Sequence, residues 1–135
     1  MATYRDDFYR LPALYDLEYA QHTEDLAFYG ELAQKAGRVL ELGAGTGRVT
    51  QAMVNAGATV EAIDLSQPML DRLSERFASQ GQAHRVNARH GSFIELPQGP
   101  EMPLVVLPFN TIHHVYSGRD VLRVFEQVQA RLAPE

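Results

Sequence analysis

Apolar residues recur along this chain with two alternating periods, one near 3.6 and one near 2. Over residues 24–36, Leu26, Phe28, Tyr29, Leu32 and Ala33 fall at helical spacing, and Gly37 is placed to stop the helix. Arg38-Val-Leu-Glu-Leu42 follows as a first strand. Glycines come next, then a helix from about Thr46 to Ala56, closed by Gly57. Ala58–Ile63 reads as a second strand ending at Asp64, and Ser66 has the place of an N-cap, with Pro68 in the first turn of a helix to about Ala78. A third strand is expected within Ala83–His90, although most of its residues are polar. Leu104–Phe109 is a fourth, apolar throughout as a strand covered on both faces should be. Ser117-Gly-Arg-Asp120 is a capping box opening a last helix, whose apolar stripe is Val121, Leu122, Val124, Phe125, Val128 and Leu132.

Strand–helix alternation of this kind predicts an α/β fold with a Rossmann-like, doubly wound, mostly parallel sheet. No repeat or low-complexity linker divides the chain, and 135 residues suit one domain. Residues 1–36 then form a helical segment ahead of a core over 37–135.

Composition narrows the function. The chain has no cysteine, which excludes disulfides, a thiolate nucleophile and a cysteine-based zinc site. Net charge is −5 and the 12 basic residues are scattered singly, which argues against a nucleic-acid partner. The N-terminus is polar and acidic, unlike a signal sequence. The longest apolar run, Leu104–Phe109, falls far short of the ~20 residues that cross a bilayer. The expectation is a cytoplasmic protein with no membrane partner.

The chemistry centres on Gly43, Gly45 and Gly47, between a strand and a helix. Glycine there permits a tight turn and lets a ligand approach the backbone. About 20 residues on, at the end of the next strand, Asp64 is placed to accept both hydroxyls of a ribose. A dinucleotide site would want a third glycine at position 48, where Arg48 stands, and no Gly-Lys-Ser/Thr follows to make a phosphate loop. Glu41, two residues ahead of the first glycine, disfavours a pyrophosphate and favours a cationic ligand with a free amino group. S-Adenosylmethionine carries both an ammonium and a sulfonium.

Val39-Leu-Glu-Leu-Gly-Ala-Gly-Thr-Gly-Arg-Val-Thr50 resembles motif I of class I S-adenosylmethionine-dependent methyltransferases. Val60–Leu70 resembles the segment that follows it, in which the acid holds the ribose and a Met–Leu pair flanks the adenine. Gly91–Leu96 resembles the adenine-edge segment, and Val105–Val115 is similar to motif IV of small-molecule methyltransferases. Tyr15-Asp-Leu-Glu-Tyr19 resembles the N-terminal lid of the same group. The resemblance implies the first four strands of that fold with flanking helices. It also implies a cofactor surface made by Tyr15, Glu41, Gly43, Ala44, Gly45, Gly47, Asp64, Leu65, Met69, Ser92, Phe93, Leu107 and Phe109.

The chain departs from the family pattern in three places. Ser92 stands where an acid usually contacts the adenine amino group, and Met102-Pro103 stands where Phe-Asp is common, so cofactor affinity below the family norm is expected. The sequence closes at Leu132-Ala-Pro-Glu135, where the family continues with a Pro-Gly-Gly turn and three further strands. The expectation is therefore the first half to two-thirds of the fold.

On the acceptor side, His113 and His114 are adjacent and lack metal-ligand spacing, so no metal is expected. His113 is readable as a general base, with a turn residue without a chemical role as the plainer alternative. Tyr19, Asn110 and His114 are candidates for acceptor contacts, with helix packing and turn capping as the plainer alternatives. Tyr15 and Tyr19 suit cation–π closure over a sulfonium. His22, His84 and His90 read as surface residues.

The activity implied is methyl transfer from S-adenosylmethionine to a small-molecule oxygen, nitrogen or carbon nucleophile. The alternative is a non-catalytic S-adenosylmethionine-binding fragment or interaction protein without a complete acceptor site. A homodimer is expected, joined through the 104–109 strand edge or the 118–132 helix, because an apolar edge strand with unpaired backbone groups is a template for association.

Overall fold

The computed structural model describes residues 11–108 and 117–134, apart from the side chain of Glu18. Helix α1 (Pro12–Tyr19) and helix α2 (Leu26–Ala36) lead into β1 (Arg38–Leu42). Then come α3 (Arg48–Asn55), β2 (Thr59–Asp64), α4 (Gln67–Ser79), a short 3-10 turn (Ala83–Arg85), β3 (Val86–His90), β4 (Val105–Val106) and α5 (Gly118–Arg131). The four strands are all parallel, in the order β3-β2-β1-β4. This is the expected α/β, Rossmann-like arrangement, with β1 between β2 and β4.

Local signals set most boundaries. The Gly37 N–H donates to Ala33 O at 2.8 Å and closes α2. Ser66 and Ser117 cap α4 and α5, their hydroxyls accepting from Met69 N at 3.4 Å and Asp120 N at 3.1 Å. The sheet separates two apolar layers. Alternate residues Val39, Val60 and Ala62 join Ala33 of α2, Val49 and Met53 of α3, and Leu73 and Phe77 of α4. Leu40, Leu42 and Ile63 point the other way, onto Phe93, Leu96, Met102 and Val124 of α5.

Two expectations need adjustment. Among the described residues of Leu104–Phe109, two join the ladder, Leu40 pairing with Val105 and Glu41 with Val106, and Leu40 N also donates to Leu104 O at 2.9 Å. Pro103 and Pro108 flank the run and cannot donate to a ladder, so the edge is short. The stripe of α5 also turns out narrower than its apolar residues suggested. Val124 is buried and Val128 partly so, whereas Leu122 and Phe125 are 65% and 58% exposed. The inward face is completed by polar residues, Gln127 and Arg131.

Gly47, the N-cap of α3, has φ 96° and ψ 24°, a left-handed conformation. A Cβ there would lie 3.2 Å from both Leu73 Cγ and Phe77 Cε2 of α4, neither exposed to solvent. Gly47→Ala therefore combines backbone strain with overpacking and should destabilise the fold by about 2 kcal/mol or more, read as a lowered urea midpoint.

Candidate cofactor site at the ends of β1 and β2

The glycine turn leaves the C-terminal end of β1 and runs beside the end of β2, where open parallel sheets bind ligands. Gly43 N and Ala44 N both donate to Ile63 O, at 2.8 and 3.2 Å, so the turn is sewn onto β2 by its own backbone. Gly45 N donates to Asp64 Oδ2 and Ser66 N to Asp64 Oδ1, each at 2.9 Å. Asp64 is only 8% exposed and holds the glycine turn and the start of α4 in one position. A carboxylate oxygen can accept more than one hydrogen bond, the chemistry that ligand hydroxyls require.

Glu41 lies on the same side of the sheet as Asp64 and is completely buried. Thr50 Oγ1 donates a short hydrogen bond to its Oε1. Among the described residues its Oε2 is buried without a hydrogen-bond partner. Burial raises the Glu41 carboxyl to about 8, against the Thr50 hydrogen bond, with the nearby Asp64 charge adding to the rise and Arg48 opposing it. A buried carboxyl lacking one partner, beside an acid that ends the next strand, fits a ligand bearing hydroxyls and a cationic amino group. The donor set present therefore fits S-adenosylmethionine.

Helix α1 sits above the turn. The Tyr15 ring lies 3.8 Å from the position of a Cβ on Gly45, and Tyr15 and Tyr19 have ring centroids 4.7 Å apart. Asp16 between them accepts from Thr46 Oγ1 at 2.5 Å and from Arg72 Nε of α4 at 3.1 Å, with Arg76 Nη2 at 3.8 Å. Arg48, standing where a dinucleotide site would carry glycine, makes a bidentate pair with Asp25 at 2.7 and 2.9 Å and donates to His22 O at 2.9 Å. That pairing holds the Asp25 carboxyl below its usual range. Asp16, Thr46, Arg48 and Thr50 were not among the sequence candidates. Asp16 and Arg48 have partners 23 to 60 residues away, a separation that carries no local signal.

The remaining candidates spread around this centre. Ala44, Gly47 and Met69 are buried, Gly43 is partly exposed, and Leu65 is exposed with its carbonyl 2.9 Å from His90 Nε2. Ser92 is half-buried and its hydroxyl accepts from Ile94 N at 3.3 Å, whereas Phe93 is buried in the α5-side core. Leu107 packs against that same core. His84 and His90 are exposed, and His22 is half-buried beside Glu24 at 3.3 Å. Phe109, Asn110, His113 and His114 lie outside the described residues. Among the described residues no cluster of ligating side chains could hold a metal ion, and no helix is long and apolar enough to cross a membrane.

The raised Glu41 carboxyl has a consequence for stability. Its ordinary value is 4.5 and its folded value about 8, so between these limits the folded chain keeps a proton that the unfolded chain has released. Stability from this group is complete below about pH 4.5 and is lost as pH rises towards 8. Glu41→Gln removes the titration, so its melting temperature relative to the parent should rise from pH 5 to pH 8, measured by calorimetry without ligand.

Comparison with known proteins agrees with this geometry. A family model described as a methyltransferase domain matches residues 39–135. A ribosomal RNA small subunit methyltransferase A of Synechococcus sp. (strain JA-3-3Ab) is 38% identical over 74 residues, which cover 53% of this chain and 25% of the relative. Among solved structures, the CcbJ methyltransferase from Streptomyces caelestis superposes with a TM-score of 0.74 at 31% identity, over 82% of this chain and 47% of that one. The glycopeptide N-methyltransferase MtfA, solved with (S)-adenosyl-L-methionine, gives a TM-score of 0.72 at 26% identity, over 81% of this chain and 46% of its own. The chain thus spans about half the length of the solved proteins it matches and a quarter of the ribosomal RNA relative. With the glycine turn, the two strand-end acids and a family match across the whole sheet, this chain belongs to the methyltransferase domain family.

Proposed function

We propose that this chain binds S-adenosylmethionine and forms the cofactor-binding part of a methyltransferase acting on a small-molecule nucleophile. The observation that carries the reading is the convergence of Asp64 and the partnerless Glu41 Oε2 on one glycine turn. Asp64 would hold the ribose, Glu41 the amino group, and the backbone near Gly43–Gly45 the methionine part. Tyr15 and Tyr19, docked above the turn through Asp16, would exclude water from the sulfonium. When bound, the cofactor supplies a methyl group already activated on sulfur. The protein's task is then alignment of the acceptor, for which no covalent enzyme intermediate is required.

A small-molecule acceptor is favoured by the scattered basic residues and the net charge of −5, both poor matches to a polyanion. The similarity to a ribosomal RNA methyltransferase supports the other acceptor class, but it covers only 25% of that relative. We also propose a homodimer through the 104–109 edge or the exposed side of the 118–132 helix, where Leu122 and Phe125 face solvent.

Titration with S-adenosylhomocysteine and with NAD tests cofactor identity, and only the former should bind. Asp64→Ala should weaken S-adenosylhomocysteine by about 1.5–3 kcal/mol, the range for hydrogen bonds to a charged group, and unchanged affinity would remove Asp64 from the site. Turnover against a panel of small acceptors and a ribosomal RNA fragment decides the acceptor class. For the dimer, sedimentation should show a two-chain species that Leu122→Ser/Phe125→Ser converts to one chain; a monomeric parent at high micromolar concentration refutes it.

A further inference from the structure

Residues 91–102 form neither helix nor ladder strand, apart from one isolated bridge at Met102, yet they carry Ser92 and Phe93. A segment without regular structure must find partners for its backbone elsewhere. Here four come from side chains on one face of α5. Arg123 Nε donates to Ile94 O at 3.3 Å, Gln127 Oε1 accepts from Leu96 N at 2.9 Å, and Arg131 donates to Pro97 O at 2.8 Å and Pro100 O at 3.0 Å. These three side chains are spaced four residues apart, so they form a single polar stripe. Beneath them Arg131 also donates a short hydrogen bond to Glu61 of β2, and Arg89 links Glu61 to Gln98 O at 2.7 and 2.8 Å. Glu61 and Arg131 are 4% and 7% exposed, so this network is fixed within the fold.

The stripe has a chemical consequence at Ser92. A hydroxyl both donates and accepts, so Ser92 alone does not distinguish the adenine edge, with its amino donor, from the hypoxanthine edge, with a carbonyl acceptor in that place. Backbone N–H and C=O groups have a fixed sense and do distinguish them. We propose that Gln127 and Arg131 of α5 are positioning residues for base recognition, holding the 92–97 backbone where it selects adenine over an oxo-purine. The inference rests on the reading above that Ser92 and Phe93 meet the adenine. It adds that selectivity resides in a helix that need not touch the cofactor.

The test is calorimetry of the full chain with S-adenosylhomocysteine and S-inosylhomocysteine. The parent should prefer the adenine compound. Gln127→Ala, which orphans the Leu96 N–H, should lose roughly tenfold in S-adenosylhomocysteine affinity, and its preference should fall close to one. Arg131→Lys should do the same, since an ammonium cannot reproduce the planar fork that spans Pro97, Pro100 and Glu61. Met53→Ala, in the opposite core layer, should lower the melting temperature and keep the preference. Where Arg131→Lys does not fold, Gln127→Ala decides alone. A parental preference retained in Gln127→Ala overturns the inference while leaving the adenine assignment standing. A parent that binds S-adenosylhomocysteine without preferring adenine overturns both.

Discussion

Two glutamates sit on the adjacent central strands, and the fold answers their burial in opposite ways. Glu61 faces the α5 side and keeps company with two guanidinium groups, Arg89 and Arg131. Glu41 faces the other layer and has one hydroxyl, that of Thr50. Taking a carboxylate out of water costs several kcal/mol unless cations and hydrogen bonds replace the lost solvent. At Glu61 they do, and the reward is structural, because Arg131 ties the last helix and the 97–100 backbone to the middle of the sheet. At Glu41 they do not, and the group is raised towards its neutral form. One buried acid is thus complete within the fold, and the other is left incomplete at the mouth of the site.

That asymmetry matches what each face of the sheet does. The α5 face is closed by polar side chains that reach irregular backbone. The other face carries the glycine turn, Asp64 and Glu41 together, with α1 fastened across them. Asp16 is the fastener, bonded to the turn at Thr46 and to α4 at Arg72. Arg48 plays the same part for the connection into α2 by gripping Asp25. Helix α1 and the glycine turn are thereby joined. A ligand that displaces the turn must also act on the ion pairs of α1, which are partly exposed and individually weak.

The order of β3-β2-β1-β4 leaves β1, the strand that delivers the glycine turn, paired on both sides while β4 lies at the edge. The strand ends that carry Glu41 and Asp64 thus belong to the two interior strands, β1 and β2. The match to the solved relatives takes in about four-fifths of this chain and about half of theirs.

Periodicity and punctuation alone determined the helices from α2 onward, the parallel α/β class and the position of the glycine turn, because these depend on neighbours within a few residues. Gly37 and Ser66 could be read directly as a stop and a cap. The placing of both Glu41 and Asp64 at the glycine turn was legible too, through strand ends and motif spacing, although not the complete burial of Glu41. What only the tertiary structure decided depends on long-range encounters. Asp16 on Thr46, Arg48 on Asp25 and Arg131 on Glu61 join residues 23 to 70 positions apart, and no local pattern marks them. The length of β4 belongs to the same class, since an apolar run becomes a strand only as far as a partner's ladder and its flanking prolines allow. Likewise the inward face of α5 was set by irregular backbone in need of hydrogen bonds, a demand that chose Gln127 and Arg131 over Leu122 and Phe125.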